Sequence, residues 1–354
     1  MKSGCGDGAA APRGPWVSAW LRLRRDRWSV AALAALATMI LLALFGGAIA
    51  TRLVGHNGDR LFPYATNQSL RPVGPWAHVP ATDQIVLNDY GVVQPPPKGT
   101  PQALLVLGAD GPLGRDELIR VLDGGRTSLE IGLGAVLIAL LIAIPVGAVA
   151  GYFGGLADAV VSRFTETVMA FPLLLFLVFA TAKLSPSLRG ISYSWLVPSG
   201  VASEALLIGA FTSFYPTRLV RAQLVTLRSA EFVESGHMIG ASDWRILRRH
   251  LLPHLIPTLL VWSAVAVATN ILLEVGLSFI GVGVQPSTPT WGSLLSTAWG
   301  TIYQPLSFGP AQKFTTTQTI WQTIVPSTAI LITVLALNQV SEGVRHAIEP
   351  WSRR

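Results

Sequence analysis

Val30 to Ala50 is an apolar run with no charged side chain, set between the arginines at 22–27 and Arg52. At 1.5 Å per residue such a run spans about 31 Å as a helix, the thickness of a bilayer's hydrocarbon core. Lipid offers no partner for backbone N–H and C=O groups, so a segment of this kind crosses a membrane as a helix. Five further apolar stretches follow, at about Leu129–Val149, Ala159–Ala182, Leu196–Tyr215, Ile256–Ile280 and Ile320–Val340. The fold expected is an all-α polytopic membrane protein with six transmembrane helices. Only 13% of the residues are charged, against roughly a quarter in soluble domains, and mean hydropathy is +0.50.

Charge sets the orientation. Arg22, Arg24, Arg25 and Arg27 precede the first run, and Arg218, Arg221 and Arg228 follow the fourth. Basic residues accumulate on cytoplasmic flanks, so both termini and the segment after Arg228 are expected inside. The net charge of +7 therefore reads as membrane orientation rather than a nucleic-acid face. Trp195, Trp291, Trp321 and Trp351 lie near expected span ends, where indoles sit at the headgroups. Cys5 is the only cysteine and can form no intrachain disulfide. No cleavable signal peptide is evident.

Between the spans lie three informative segments. Residues 51–126 are polar and rich in Pro and Gly, with QPPPKGTP at 94–101; they are expected outside the cytoplasm, with short strands such as Gln84–Leu87. Asn67-Gln68-Ser69 matches a glycosylation triplet of the kind that arises by chance. Gly281 to about Thr317 reads as a second outer loop, rich in Pro, Trp and Thr. The third, Ser229 to Pro253, reads as two short helices. Ser229 is a candidate N-cap and Glu231 favours the first turn. Gly240 is placed for a left-handed stop. Ser242 and Asp243 open the second helix, Arg248, Arg249 and His250 suit its negative end, and Pro253 is expected to close it.

Chemistry-bearing motifs are missing. None of the four lysines completes a phosphate-binding Gly-x-x-x-x-Gly-Lys-Ser/Thr loop, the six histidines are scattered, and no Gly-x-Ser-x-Gly elbow occurs. The chain is not expected to be an enzyme, nor to hold a cofactor or metal.

Glu234-Ser235-Gly236, then Gly240, then His250-Leu251-Leu252-Pro253, resembles the "EAA" loop of ABC-transporter permease subunits in its oligopeptide and dipeptide variant. Leu107–Leu129 resembles the signature leading into these permeases' second helix, with Gly114-Arg115-Asp116, Arg120, Gly125 and Arg126 in place. It departs at Ala109 and by one extra residue between Asp110 and Gly114. Phe171-Pro172, the run GLSFIGVGVQPSTPTWGSLL from Gly281's preceding helix onward, and the ending with Gly343, Arg345 and Pro350 resemble the same family.

The resemblance implies a type I ABC importer permease of the second-permease type in a peptide or nickel system. Residues 1–28 would be a cytoplasmic basic tail, 29–50 the first transmembrane helix and 51–126 an extracytoplasmic region. Residues 127–342 would be the core permease domain with helices 2–6 and the coupling loop 229–253, and 343–354 a cytoplasmic tail. Partners implied are a homologous second permease, two ABC ATPase subunits that bind ATP and Mg, an extracytoplasmic substrate-binding protein, and the bilayer of the cell inner membrane. Glu234, Ser235, Gly236, Gly240, Ser242, Asp243, Arg245, Leu252 and Pro253 would form the ATPase-coupling element.

Glu274 and Asn270 are candidates for the translocation path, because intramembrane carboxylates face a bundle interior or a water-filled cavity. The competing reading for Glu274 is an interhelical hydrogen bond, with Asn270 as one partner. Glu204 reads as structural, and Arg163/Glu166 as an ion pair near a helix end. Peptides are the expected cargo, with nickel chelates, glutathione or sugars as alternatives. An ion-gradient secondary transporter is the rival class, but it would show inverted repeats, and none is seen.

Overall fold

The computed structural model describes residues 21, 23–66, 71–84, 86, 94–188, 200–285, 287–303 and 317–348. Cys5, the Asn67–Ser69 triplet, Trp195 and the start of the fourth span, residues 304–316, and Pro350 with Trp351 lie outside them.

The helices are α1 (Arg27–Val54), α2 (Glu117–Phe153), α3 (Gly155–Met169), α4 (Leu173–Leu188), α5 (Val201–Thr212) and α6 (Phe214–Leu227). They continue with α7 (Glu231–Met238), α8 (Asp243–Phe279), α9 (Trp291–Tyr303) and α10 (Thr317–Ile348). Helices α1, α2, α8 and α10 are each long and apolar enough to cross a bilayer. The expected third span is not one helix. Pro172 has no N–H to continue the ladder, and α3 and α4 meet at 90° across Phe171-Pro172; counted together they make a fifth span. The fourth span is the short apolar helix α5, which α6 prolongs through Ser213 in helical conformation.

Three further boundaries differ from expectation. Helix α2 starts at Glu117, not near Leu129, because Arg120 and its neighbours are buried in ion pairs rather than left in a loop. The segment after Gly281 contains α9, which Thr290 and Ser293 cap reciprocally: Ser293 N–H donates to Thr290 Oγ1 at 3.0 Å and Thr290 N–H to Ser293 Oγ at 2.9 Å. Helix α10 runs on through Gly343 and Arg345 to Ile348.

Packing places the core around α2. Val121, Leu129 and Val136 of α2 meet Val267 and Ile271 of α8, Trp291 and Leu294 of α9, and Leu337 of α10. Leu133, Leu137 and Leu141 repeat along another face of α2 and stay 55–65% exposed, as a lipid-facing row must. Helices α2 and α6 approach through glycine. A Cβ on Gly147 would lie 2.7 Å from the Thr217 carbonyl, and one on Gly151 2.7 Å from that of Arg221. Backbone cannot yield as a side chain can, so Gly147→Val should cost about 1–3 kcal/mol or more. The check is the melting temperature of the purified protein in detergent, with Gly300→Val, where a Cβ meets nothing, as the neutral control.

Among its described residues, the segment between α1 and α2 holds two hairpins. Strand β1 (Ala77–Pro80) pairs antiparallel with β2 (Gln102–Leu105), covering Phe62, Ala65 and Ala109, while Gln84 and Val86 are not in a strand. Strand β3 (Ala109–Asp110) pairs with β4 (Arg115–Asp116) around a 3-10 turn at Gly111–Leu113. That turn, closed by Gly114 at φ +66°, accommodates the extra residue of the motif. Asp116 then caps α2, accepting Ile119 N–H at 3.2 Å and contacting His56 Nε2 at 2.9 Å.

Candidate functional site

Two places concentrate polar groups that the apolar helices alone do not explain. The first is the α7–α8 junction. Its first helix is capped at Ala230, not Ser229, whose hydroxyl instead donates back to the Thr226 carbonyl at 3.1 Å. Glu231 and Glu234 occupy the first turn, where the helix dipole favours carboxylates. The helix ends in a two-bond left-handed stop. Gly240, at φ +81°, donates to the His237 carbonyl at 2.9 Å, and Ala241 N–H donates to the Gly236 carbonyl at 3.0 Å.

Helix α8 follows at once. Ser242 is its N-cap by backbone geometry, without a side-chain hydrogen bond. Asp243 accepts the Tyr152 hydroxyl at 2.7 Å and stands 3.8 Å from His237 Nε2, tying α8 to the end of α2 and to α7. Pro253 does not close the helix. Leu247–Leu251 form a π turn whose wider loop takes up the proline's missing N–H, and α8 continues into the membrane. The junction is therefore rigidly joined to a membrane-crossing helix.

Val233, Ile246, Leu247 and Leu251 anchor it on Val220 and Leu224 of α6. Gly236 admits this packing, since a Cβ there would meet Ile246 Cδ1 at 3.3 Å. Glu234, Ser235, Gly240, Ser242, Asp243, Arg245 and Pro253 are exposed, and Gly236 and Leu252 half-buried. Beside them stand three apolar side chains that the motif does not name: Met238 (88% exposed), Ile239 (85%) and Trp244 (66%). Their signal in the sequence was an apolar pair at the solvated end of a short helix, where burial would have no surface to reach.

The second place is inside the bundle. Glu274 of α8 is fully buried and accepts the hydroxyls of Ser128 on α2 at 2.9 Å and of Ser278 at 2.8 Å. Trp291 N–H, at the start of α9, donates to the same Ser128 oxygen at 3.2 Å. Glu274 thus joins three helices. Asn270 is not its partner: that side chain, 1% exposed, keeps an amide nitrogen without a hydrogen bond. Glu204 of α5 is also buried and lies within electrostatic reach of Glu274. The Arg163–Glu166 pair is exposed at 3.4 Å, whereas Asp158 of α3 takes a two-pronged contact from Arg221 of α6. Among the described residues, no group of three His, Cys, Asp or Glu side chains is placed to hold a metal.

Lipid-length helices, a stiff polar elbow built on one of them and a hydroxyl-bound carboxyl group in the interior are the layout of a membrane permease. Residues 143–354 match the family described as binding-protein-dependent transport system inner membrane component, and residues 14–72 the N-terminal TM domain of oligopeptide transport permease C. The chain belongs to this family of ABC-importer permeases, and is a transport subunit rather than an enzyme. A glutathione transport system permease protein of Pectobacterium atrosepticum is 33% identical over 69% of this chain and 72% of its own length. A Brucella ovis protein named as a peptide permease is 33% identical over the same shares. The Escherichia coli glutathione transport system permease protein is 29% identical over 96% of this chain and 91% of its own. Among solved structures, an inward-facing methionine ABC transporter chain matches 64% of this chain at 19% identity, with a TM-score of 0.44.

Proposed function

We propose that this chain is one of two homologous permeases in an ATP-driven importer of peptides or peptide-like solutes such as glutathione. It would form half of the translocation path in the inner membrane, with both termini and the α7–α8 junction in the cytoplasm. ATP and Mg would bind on two separate ATPase subunits. An extracytoplasmic binding protein would deliver the solute to the outer face, where residues 51–126 and 281–317 are expected. The cargo reading is supported by the names of the glutathione and peptide permeases among the relatives.

The observation that carries the coupling role is the exposure of Met238, Ile239 and Trp244 around a left-handed glycine stop. Three large apolar side chains held in water on a stiff elbow suit insertion into a groove of a partner. Glu234, Ser235, Ser242, Asp243 and Arg245 would form the polar rim, while Gly236, Gly240, Leu252 and Pro253 set its shape. Motion of the elbow would pass directly into α8, which is continuous with it. Glu274 would support the path from behind by holding α2, α8 and α9 together, and Asn270 would face it.

A mild-detergent pull-down of the tagged chain from its native membrane, read by mass spectrometry, is the test. Co-purification of a second permease and P-loop ATPases is the expected result. A chain that purifies alone and shows uptake driven by an ion gradient would replace this reading with a secondary transporter.

A further inference from the structure

The seam between α6 and α8 holds two cavities. One, of about 210 Å³, is lined by Thr212, Tyr215, Trp262, Thr269 and Asn270, with Leu173 where α4 leaves the Phe171-Pro172 bend. The other, of about 450 Å³, lies toward the α7–α8 junction and is lined by Gln223, Thr226 and His254 among others. The two helices run antiparallel past both, and Gln223 Nε2 donates to Thr258 Oγ1 at 2.7 Å between them.

A polar and aromatic row at membrane depth is costly against lipid and belongs on a surface that meets water, solute or protein. The first cavity carries the decisive group. Thr212 and Thr269 spend their hydroxyls on the carbonyls of Ile208 and Val265, but the buried amide nitrogen of Asn270 has no partner among the described residues. An unpaired, buried N–H₂ on a residue that lines a cavity calls for an acceptor. Around it lie the rings of Tyr215 and Trp262 and the aliphatic Leu173 and Val265, with no charged side chain among the cavity's lining residues.

We propose that this cavity is a contact point on the translocation path for the carbonyl oxygen of a peptide bond, with Asn270 donating and Tyr215 and Trp262 flanking. The proposal rests on the peptide-importer reading and adds the residues that meet the solute. An amide donor with uncharged walls recognises the unit common to all peptides and ignores side-chain charge. The volume is below that of ordinary ligand pockets, which suits a solute in passage rather than one held tightly.

The test uses the whole transporter with its binding protein in proteoliposomes, trialanine as solute, and a Cys5→Ser background. Thr269→Cys should react with a membrane-impermeant maleimide, and trialanine transport should slow that reaction at least three-fold. Leu260→Cys, exposed on the opposite side of α8, should stay unlabelled. Asn270→Leu should lower trialanine uptake about ten-fold, and Asn270→Gln, which keeps the donor, should remain within about three-fold of wild type. Equal labelling at 269 and 260, or undiminished uptake by Asn270→Leu, in a complex whose ATPase still responds to the binding protein, overturns the contact point alone. An ATPase that does not respond in the unmodified complex overturns the importer reading beneath it.

Discussion

Replacing Asp110 by Ala should destabilise the protein by about 3–5 kcal/mol. The Asp110 side chain is 5% exposed and serves two guanidinium groups: it accepts Arg115 Nη2 at 3.2 Å and lies 2.7 Å from Arg120 Nε. Arg120 is itself 2% exposed and reaches outward to Asp59 at 2.7 Å. Without Asp110, Arg115 would be left buried beside another cation. Burial already pulls the Arg115 guanidinium below its ordinary pKa, and the nearby Arg120 charge pulls the same way, with Asp110 opposing both. An arginine cannot escape this by losing its proton near neutral pH, so the desolvation cost stays in the fold. Asp110→Asn should recover part of the loss by keeping the acceptor without the charge. Glu166→Gln, breaking an exposed pair, should change stability by less than about 1 kcal/mol. Melting temperatures of the three variants in one detergent decide it, and an Asp110→Ala protein that melts with the wild type would refute the argument. This ion cluster fixes the β3–β4 hairpin on the first turns of α2, and so sets the shape of the segment that precedes that helix.

What the sequence made legible follows from which forces are local. Apolar run length is local, and α1, α2, α8 and α10 each contain the run it marked, although α2 and α8 begin a dozen or so residues earlier. Glycine at a left-handed stop is local too, and Gly240 has the φ expected of it. Phe171-Pro172 was visible as a dipeptide, but a proline states only that a ladder is interrupted; the 90° turn comes from what α3 and α4 then pack against. Charged residues misled at the start of α2. Arg120 and Glu117 look like loop residues until Asp110 and Asp59, distant in the chain or folded back on it, neutralise the arginine. The same holds inside the bundle, where the interhelical partner of Glu274 is Ser128, 146 positions away, and its partner on the same helix is Ser278 rather than Asn270. Helix α9 was hidden by its Trp- and Thr-rich composition, although Thr290 and Ser293 spelled a cap. By its usual rule Pro253 ends a helix, and the π turn before it is how α8 evades that rule.

Gly240→Pro should abolish uptake, to below about a tenth of wild type, while the chain still inserts in the membrane. A Cβ at Gly240 would meet nothing within 4 Å, so the effect is one of backbone alone. Holding an ordinary L-residue at φ +81° costs about 1–2 kcal/mol, and proline, fixed near −65°, cannot adopt it at all. Proline also removes the N–H that donates to His237, one of the two bonds closing α7. The elbow would then lose the angle that presents Met238, Ile239 and Trp244 together. Gly240→Asn, which tolerates the left-handed region, should keep most of the uptake. Glu234→Lys separates shape from contact. It exchanges a favourable first-turn charge for an unfavourable one, a folding effect of only about 0.3–1 kcal/mol on each side at an exposed site. A large loss of uptake in that variant would therefore come from the surface proposed to meet an ATPase subunit rather than from the elbow's own stability. Uptake and solute-stimulated ATP hydrolysis, measured together in reconstituted vesicles, distinguish the two causes. Wild-type transport by both Gly240→Pro and Glu234→Lys would take the coupling role away from this junction, and the exposed apolar trio would then need another partner.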